Sequence, residues 1–193
     1  VAVNYNGIEL VGAFSVYNSK ININNLIMNN VLSEDGLNLI HSDFKISDSL
    51  ISNTNSDAID SDFSRGTIIN SKFYNIGILG GGDAIDVSGS SVKIEDTYFN
   101  VVSDKAISVG EKSTLNITNS FIENSNIGIA SKDSAFVKAK NLDISNVEYC
   151  LSAYNKKQEF FGGKLIVDKF NCKNYSFKMQ KDNLSNIEIQ SNL

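Results

Sequence analysis

Eight small residues recur along this chain, each followed by an aliphatic or aromatic one. The pairs are Gly7-Ile8, Gly36-Leu37, Ala58-Ile59, Ala84-Ile85, Ala106-Ile107, Gly128-Ile129, Cys150-Leu151 and Ser176-Phe177. The steps between the small positions are 29, 22, 26, 22, 22, 22 and 26 residues. A short, β-rich period of this kind specifies stacked coils that cannot bury their apolar faces singly. The expected fold is all-β: a right-handed parallel β-helix (solenoid) of about eight coils, forming a rod about 35–40 Å long. Residues 1–193 read as a single domain of this kind.

A second ladder fixes the register. Ile23, Ile46, Ile68, Ile94, Ile117, Ala139 and Val167 are each followed five residues later by Met28, Ile51, Phe73, Phe99, Ile122, Ile144 and Cys172. Between them runs a polar column of Asn25, Asp48, Asn70, Asp96, Asn119, Asn141 and Lys169, and just beyond them another of Asn30, Asn53, Asn75, Val101, Asn124, Asn146 and Asn174. Asn tolerates left-handed backbone, and its amide can bond its copy on the next coil. Along the first strand Ile8 and Leu10, Leu37 and Leu39, Ile85 and Val87, and Ile107 and Val109 should point inward. Glu9, Asn38, Asp86 and Ser108 should point outward.

Composition fits polar turns joining short strands: Asn and Ser are abundant, and there is no proline or tryptophan. Residues up to Asp104 carry a formal charge of −8 and those from Lys105 onward +3, within a total of −5. That distribution argues against a nucleic-acid partner, which needs a coherent basic stripe. No apolar run approaches the ~18 residues of a membrane span. Cys150 and Cys172 stand in ladder positions and read as small or apolar fillers rather than as a disulfide or a metal pair. The chain opens strand-like at Val1-Ala2-Val3, ends at Ile187-Glu188-Ile189 without a capping helix, and does not begin with Met. These features are expected of a processed piece of a longer chain with neighbouring domains.

Candidate chemistry is concentrated in aspartates. Asp57-Ala58-Ile59-Asp60 and Asp83-Ala84-Ile85-Asp86 occupy equivalent places on adjacent coils, so Asp60 should lie about 4.8 Å from Asp86 along the rod. Asp57 and Asp83 form a second pair at the strand entrance, with Lys105 following in that column and Asp62 adding charge nearby. Such a patch should raise some carboxyl pKa values or recruit Ca²⁺. Carboxyls about 5 Å apart also match retaining glycosidases. The competing reading makes them turn-capping, solvent-facing residues. Two insertions, Gly77–Gly82 and Tyr154–Gly163, should emerge as loops from different edges and need not share a site. In the second, Tyr154, Lys156, Lys157, Phe160 and Phe161 suit an acidic glycan or a protein partner, or the phenylalanines fold back onto the rod. His41 and Arg65, the sole residues of their types, read as turn residues.

The coil pattern resembles bacterial right-handed parallel β-helix repeat proteins of the pectin-lyase-like superfamily, shared with pectate lyases, polygalacturonases and alginate epimerases. Gly82-Asp83-Ala84-Ile85-Asp86 is similar to the acidic strand of polygalacturonases, but lacks that family's adjacent aspartates, its His on the following coil and its Arg-x-Lys. The Asp-Pro-His signature of the epimerases is impossible without proline. Asn126-Ile127-Gly128-Ile129-Ala130-Ser131-Lys132-Asp133 looks like β-helix modules attached to bacterial surface or spore-coat-type proteins, which implies a cell-surface or secreted setting. With no complete catalytic set, the favoured expectation is a non-catalytic scaffold or recognition rod for glycan or protein partners. The alternative is a polysaccharide hydrolase or lyase using Asp57, Asp60, Asp83, Asp86 and Lys105.

Overall fold

The computed structural model describes residues 3–5 and 7–190. Val1, Ala2 and Asn6, which belong to the expected opening strand and its entrance, lie outside them. Three short strands per coil stack in parallel register on their copies above and below, forming a right-handed β-helix of about eight coils. First strands run Gly12–Tyr17, Asp35–Ile40, Asp57–Asp62 and Ile85–Ser88, second strands Lys20–Asn24, Asp43–Ser47, Arg65–Ile69 and Ser91–Glu95, and third strands Ile27–Val31, Leu50–Thr54 and Lys72–Ile76. From Tyr98 onward successive strands merge into the longer Tyr98–Gly110, Thr114–Lys132, Phe136–Tyr154 and Lys164–Lys181. Among the described residues no helix is long and apolar enough to cross a membrane.

The lumen is filled by like residues stacked on like. Leu37, Ile59, Ile85, Ile107, Ile129 and Leu151 form one fully buried column, and the Phe73 and Phe99 rings stack at 5.1 Å. Where one residue overfills its level the next gives way: a side chain at Gly66 would meet the Phe44 ring at 2.3 Å. Both predicted Asn-rich columns hold left-handed backbone throughout, from Asn25 (φ 56°) to Asn174 (φ 53°). Asn70 Nδ2 donates to Asp48 Oδ1 at 2.6 Å and Asn75 Nδ2 to Asn53 Oδ1 at 2.6 Å, closing ladders along the rod. A buried hydroxyl ladder runs inside the turns: the N–H groups of Ser42, Ser64 and Ser90 donate to the Oγ atoms of Ser64, Ser90 and Ser113.

Both ends of the repeat depart from the sequence reading. Gly7 (φ 79°) turns an antiparallel hairpin, Val3–Tyr5 with Ile8–Leu10, so Ile8 and Leu10 belong to no coil. The register pairs Gly12 with Asp35 and Phe14 with Leu37, which makes Ala13, not Gly7, the first small position. At the other end Tyr149 pairs with Phe177 and Leu151 with Met179, so Lys178 rather than Ser176 follows Cys150. Among the described residues no strand stacks on this first strand, and Lys178 is exposed.

The cysteines are also corrected: Cys150 and Cys172 form a disulfide. Reading each column separately hides which columns face each other across the lumen. Ile144 leans into the space at Gly128, 3.0 Å from where a Cβ would stand. One coil on, the same facing positions hold Cys150 and Cys172. The bond closes a loop with a sequence separation of 22, a constraint on the unfolded chain worth about 3 kcal/mol. Replacing both cysteines by serine should lower the unfolding free energy in denaturant by about that amount, with the parallel β signature in circular dichroism retained.

Candidate functional site

The outer face of the first strands is recessed rather than open. The strand Asp35–Ile40 is buried on both faces, and Asn38, Ser108 and Ser152, all outward-pointing, are at most 2% exposed. The register sets Asn38, Asp60, Asp86 and Ser108 in one column, as the sequence implied. Asp35, Asp57, Asp83 and Lys105 form the entrance column beside it.

The two aspartate pairs differ in what they do. Asp57 Oδ1 accepts the Asp83 N–H at 2.8 Å, and Asp83 Oδ1 accepts the Lys105 N–H at 2.9 Å. These carboxylates cap the backbone of the following coil, as the turn-capping reading held. Lys105 Nζ reaches Asp83 at 3.3 Å and also binds Asp104. Asp60 and Asp86 have no such duty to the next coil. Asp60 Oδ2 accepts a bond from Asn38 Nδ2 at 3.3 Å; Asp86 accepts its neighbour's Val87 N–H at 2.9 Å and pairs with Lys132 Nζ at 3.7 Å.

Burial and mutual repulsion push the carboxyls up. Asp60 rises to about 9, first through burial and then through Asp62, Asp35, Asp86 and Asp57. Asp35 and Asp57 rise to about 7 and Asp83 to about 6, burial leading in each case. Burial also raises Asp62, reinforced by Glu111 and Asp86 and opposed by His41 and Lys157. Burial works against the Lys105 ammonium, but Asp83 and Asp104 outweigh it and raise its pKa. Among the described residues no three His, Cys, Asp or Glu side chains converge as metal ligands do; Lys105 and Lys132 are the counter-charges this structure supplies to Asp83 and Asp86.

The insertions flank this face from opposite sides. Gly77–Gly82 ends at the entrance, where a Cβ on Gly82 would lie 2.6 Å from Gly77 Cα, and the Gly82 N–H donates to Ser103 Oγ at 3.0 Å. Tyr154–Gly163 starts at the exit, since Tyr154 pairs with Lys132 in register. The loops emerge from different edges, as the sequence implied, one at the entrance and one at the exit of the first strands. The second loop is anchored by buried Asp133, whose Oδ1 accepts the N–H groups of Lys156 and Lys157 at 2.6 and 2.8 Å. Lys157 Nζ then binds Glu111. Tyr154 is half-buried, its phenol pKa raised by burial and opposed by Lys105. Phe160 lies half-buried with Lys112 Nζ 5.8 Å from its ring centroid, while Phe161 projects outward, 76% exposed. One of the two phenylalanines folds back and the other does not.

The sequence reading missed Asp35, Asp104, Glu111, Lys132 and Asp133. Lys132 and Glu111 stand beside the aspartate columns only once the coils are wound, so a register drawn for all three columns would have found them.

No family model and no curated protein matches the sequence. Among solved structures, the chain is similar to an alginate lyase from Paenibacillus sp. str. FPU-7, with a TM-score of 0.53 and 14% identity over 91% of this chain and 76% of that one. It is also similar to the catalytic domain of a GH87 alpha-1,3-glucanase in complex with nigerose, with a TM-score of 0.35 and 8% identity over 89% of this chain and 49% of that one. At 14% identity the likeness to the alginate lyase is one of fold, a parallel β-helix.

Carboxyls raised in the folded state bind protons that the unfolded chain releases, so stability falls as pH rises from the ordinary carboxyl value of 3.8 through about 9 for Asp60. The melting temperature should therefore be higher near pH ~5 than near pH ~9, and Asp60→Asn should flatten that dependence.

Proposed function

We propose that the recessed aspartate face cleaves glycosidic bonds in a polysaccharide laid along the rod. The observation that carries this reading is Asp60: a carboxyl pushed up to about 9, hence protonated near neutrality, beside Asp86 on the next coil, which is paired with Lys132. A protonated carboxyl beside a lysine-paired one is the arrangement that acid-assisted glycoside cleavage uses. Asp60 would give its proton to the glycosidic oxygen. Asp86, about 5 Å along the axis, would bond to the anomeric carbon as the glycosidic C–O bond breaks, and water, giving a proton back to Asp60, would then displace it and restore both carboxyls. Asp57, Asp83 and Lys105, assigned by the sequence to the reacting set, act here as positioning residues, because the two carboxylates cap the backbone of the stack and the Lys105 ammonium is held by Asp83 and Asp104. The fold is one that carries polysaccharide chemistry in the Paenibacillus alginate lyase.

A non-catalytic recognition rod would use the same trough without needing a protonated Asp60, and turnover separates the two. Release of reducing ends from a panel of neutral and acidic polysaccharides should fall about 10²–10⁴-fold in Asp60→Asn, and comparably in Asp86→Asn. Cleavage should fade as pH rises past the Asp60 value. Unsaturated products in place of simple reducing ends would indicate elimination, and an absence of turnover across the panel would return the face to recognition alone.

A further inference from the structure

At the exit edge of the trough, successive coils turn at one left-handed position. It is held by Asn18 (φ 46°), His41 (φ 48°), Phe63 (φ 49°) and Gly89 (φ 60°). Asn and Gly enter this conformation at little cost; a bulky aromatic residue is strained by it. Phe63 is nonetheless 58% exposed, so its ring recovers little by burial. Its ring stacks on His41 at 5.1 Å and 16°, and Tyr17 packs edge-on to His41 at 6.4 Å. The next coil makes room for it: a Cβ on Gly89 would lie 2.6 Å from the Phe63 ring. Strain kept for an exposed side chain points to a use for that side chain.

The platform lies in an open groove of about 670 Å³ that also gathers Lys20, the sole Arg, Arg65, and Lys112, against a single carboxylate, Asp43. The groove opens onto the outer face of the second strands. There the register aligns Lys20, Asp43, Arg65, Ser91, Thr114, Phe136 and Lys164 in one column, and Lys45, Lys93 and Lys138 stand in the next. Along this stretch Asp43 is the only acid in either column. Cations of the two columns alternate, so that positive charge stands on most coils along the rod axis, with coils about 4.8 Å apart.

We infer that this groove and its basic columns form a docking track for an acidic, uronate-bearing polysaccharide, with Phe63 and His41 as the ring-stacking platform and Arg65, Lys20 and Lys112 as carboxylate partners. This deepens the polysaccharide reading above and rests on it for the ligand class. Guanidinium and ammonium groups beside an exposed aromatic face are the chemistry that recognises a charged sugar ring. The track also answers how a polyanion could approach an aspartate face. It is held by the cations beside the trough, and only the segment crossing the edge meets the carboxyls, of which Asp60 is protonated.

The test is native-gel retardation by immobilised polyuronate, neutral glucan or single-stranded DNA, with melting temperatures measured in parallel. Polyuronate should retard the protein and neutral glucan should not. Phe63→Asn, which places a residue suited to the left-handed turn, should melt at or above the parent temperature yet bind polyuronate about tenfold more weakly. Arg65→Gln with Lys112→Gln should weaken retardation similarly. Equal retardation by DNA, unchanged binding in Phe63→Asn, or a lowered melting temperature in that variant would overturn the proposal. Phe63-dependent binding without cleavage of any polysaccharide would remove the glycosidase reading and leave the track; cleavage that ignores Phe63 would do the reverse.

Discussion

In-register parallel stacking is the constraint on which everything else in this molecule rests. Each side chain has as its axial neighbours the residues at the same position one coil before and after, about 4.8 Å away. Apolar residues profit from this directly, as in the column from Leu37 to Leu151. Amides and hydroxyls profit through ladders, in which each copy satisfies the next. Carboxyls do not profit. Placing Asp60 over Asp86 sets like charges side by side, and the structure answers with burial, protonation and lysines drawn from other columns.

That contrast sorts the polar residues by purpose. Asp57 and Asp83 return something to the stack by capping the following coil, so their presence is explained by the fold. Asp60 and Asp86 return little, and Phe63 costs backbone energy without being covered. The residues that the architecture does not account for lie on one edge of the rod, where the recessed acidic face meets the basic outer columns. The two loops stand on either side of the acidic face, one pinned through Gly82 and the other through Asp133.

What could be read in the sequence was whatever repeats along one column. The inward and outward alternation, the left-handed Asn positions and the Asp60–Asp86 neighbourhood all follow from the period alone. What could not be read lies between columns. The bond from Cys150 to Cys172 crosses the lumen, and the pair of Lys132 with Asp86 joins different coils and different columns. The basic track escaped notice for the same reason: its lysines are dispersed among acidic residues in the sequence and separate from them only when each strand's faces are assigned. At two places the period itself misled, because Gly7-Ile8 imitates the motif while turning a hairpin and Lys178 takes the small position in register with Cys150.

The lumen-crossing disulfide has a consequence for how such a rod comes apart. In a stack where each coil contacts only its neighbours, opening spreads coil by coil from whichever level is least supported. A front moving in from the Lys164–Lys181 side reaches a covalent stop at Cys150–Cys172 before it reaches the aspartate levels. No other disulfide exists in the chain, whose two cysteines are both used. The levels that carry Asp60, Asp86 and Lys132 are thus shielded by a covalent bond from any front that starts on the Lys164–Lys181 side.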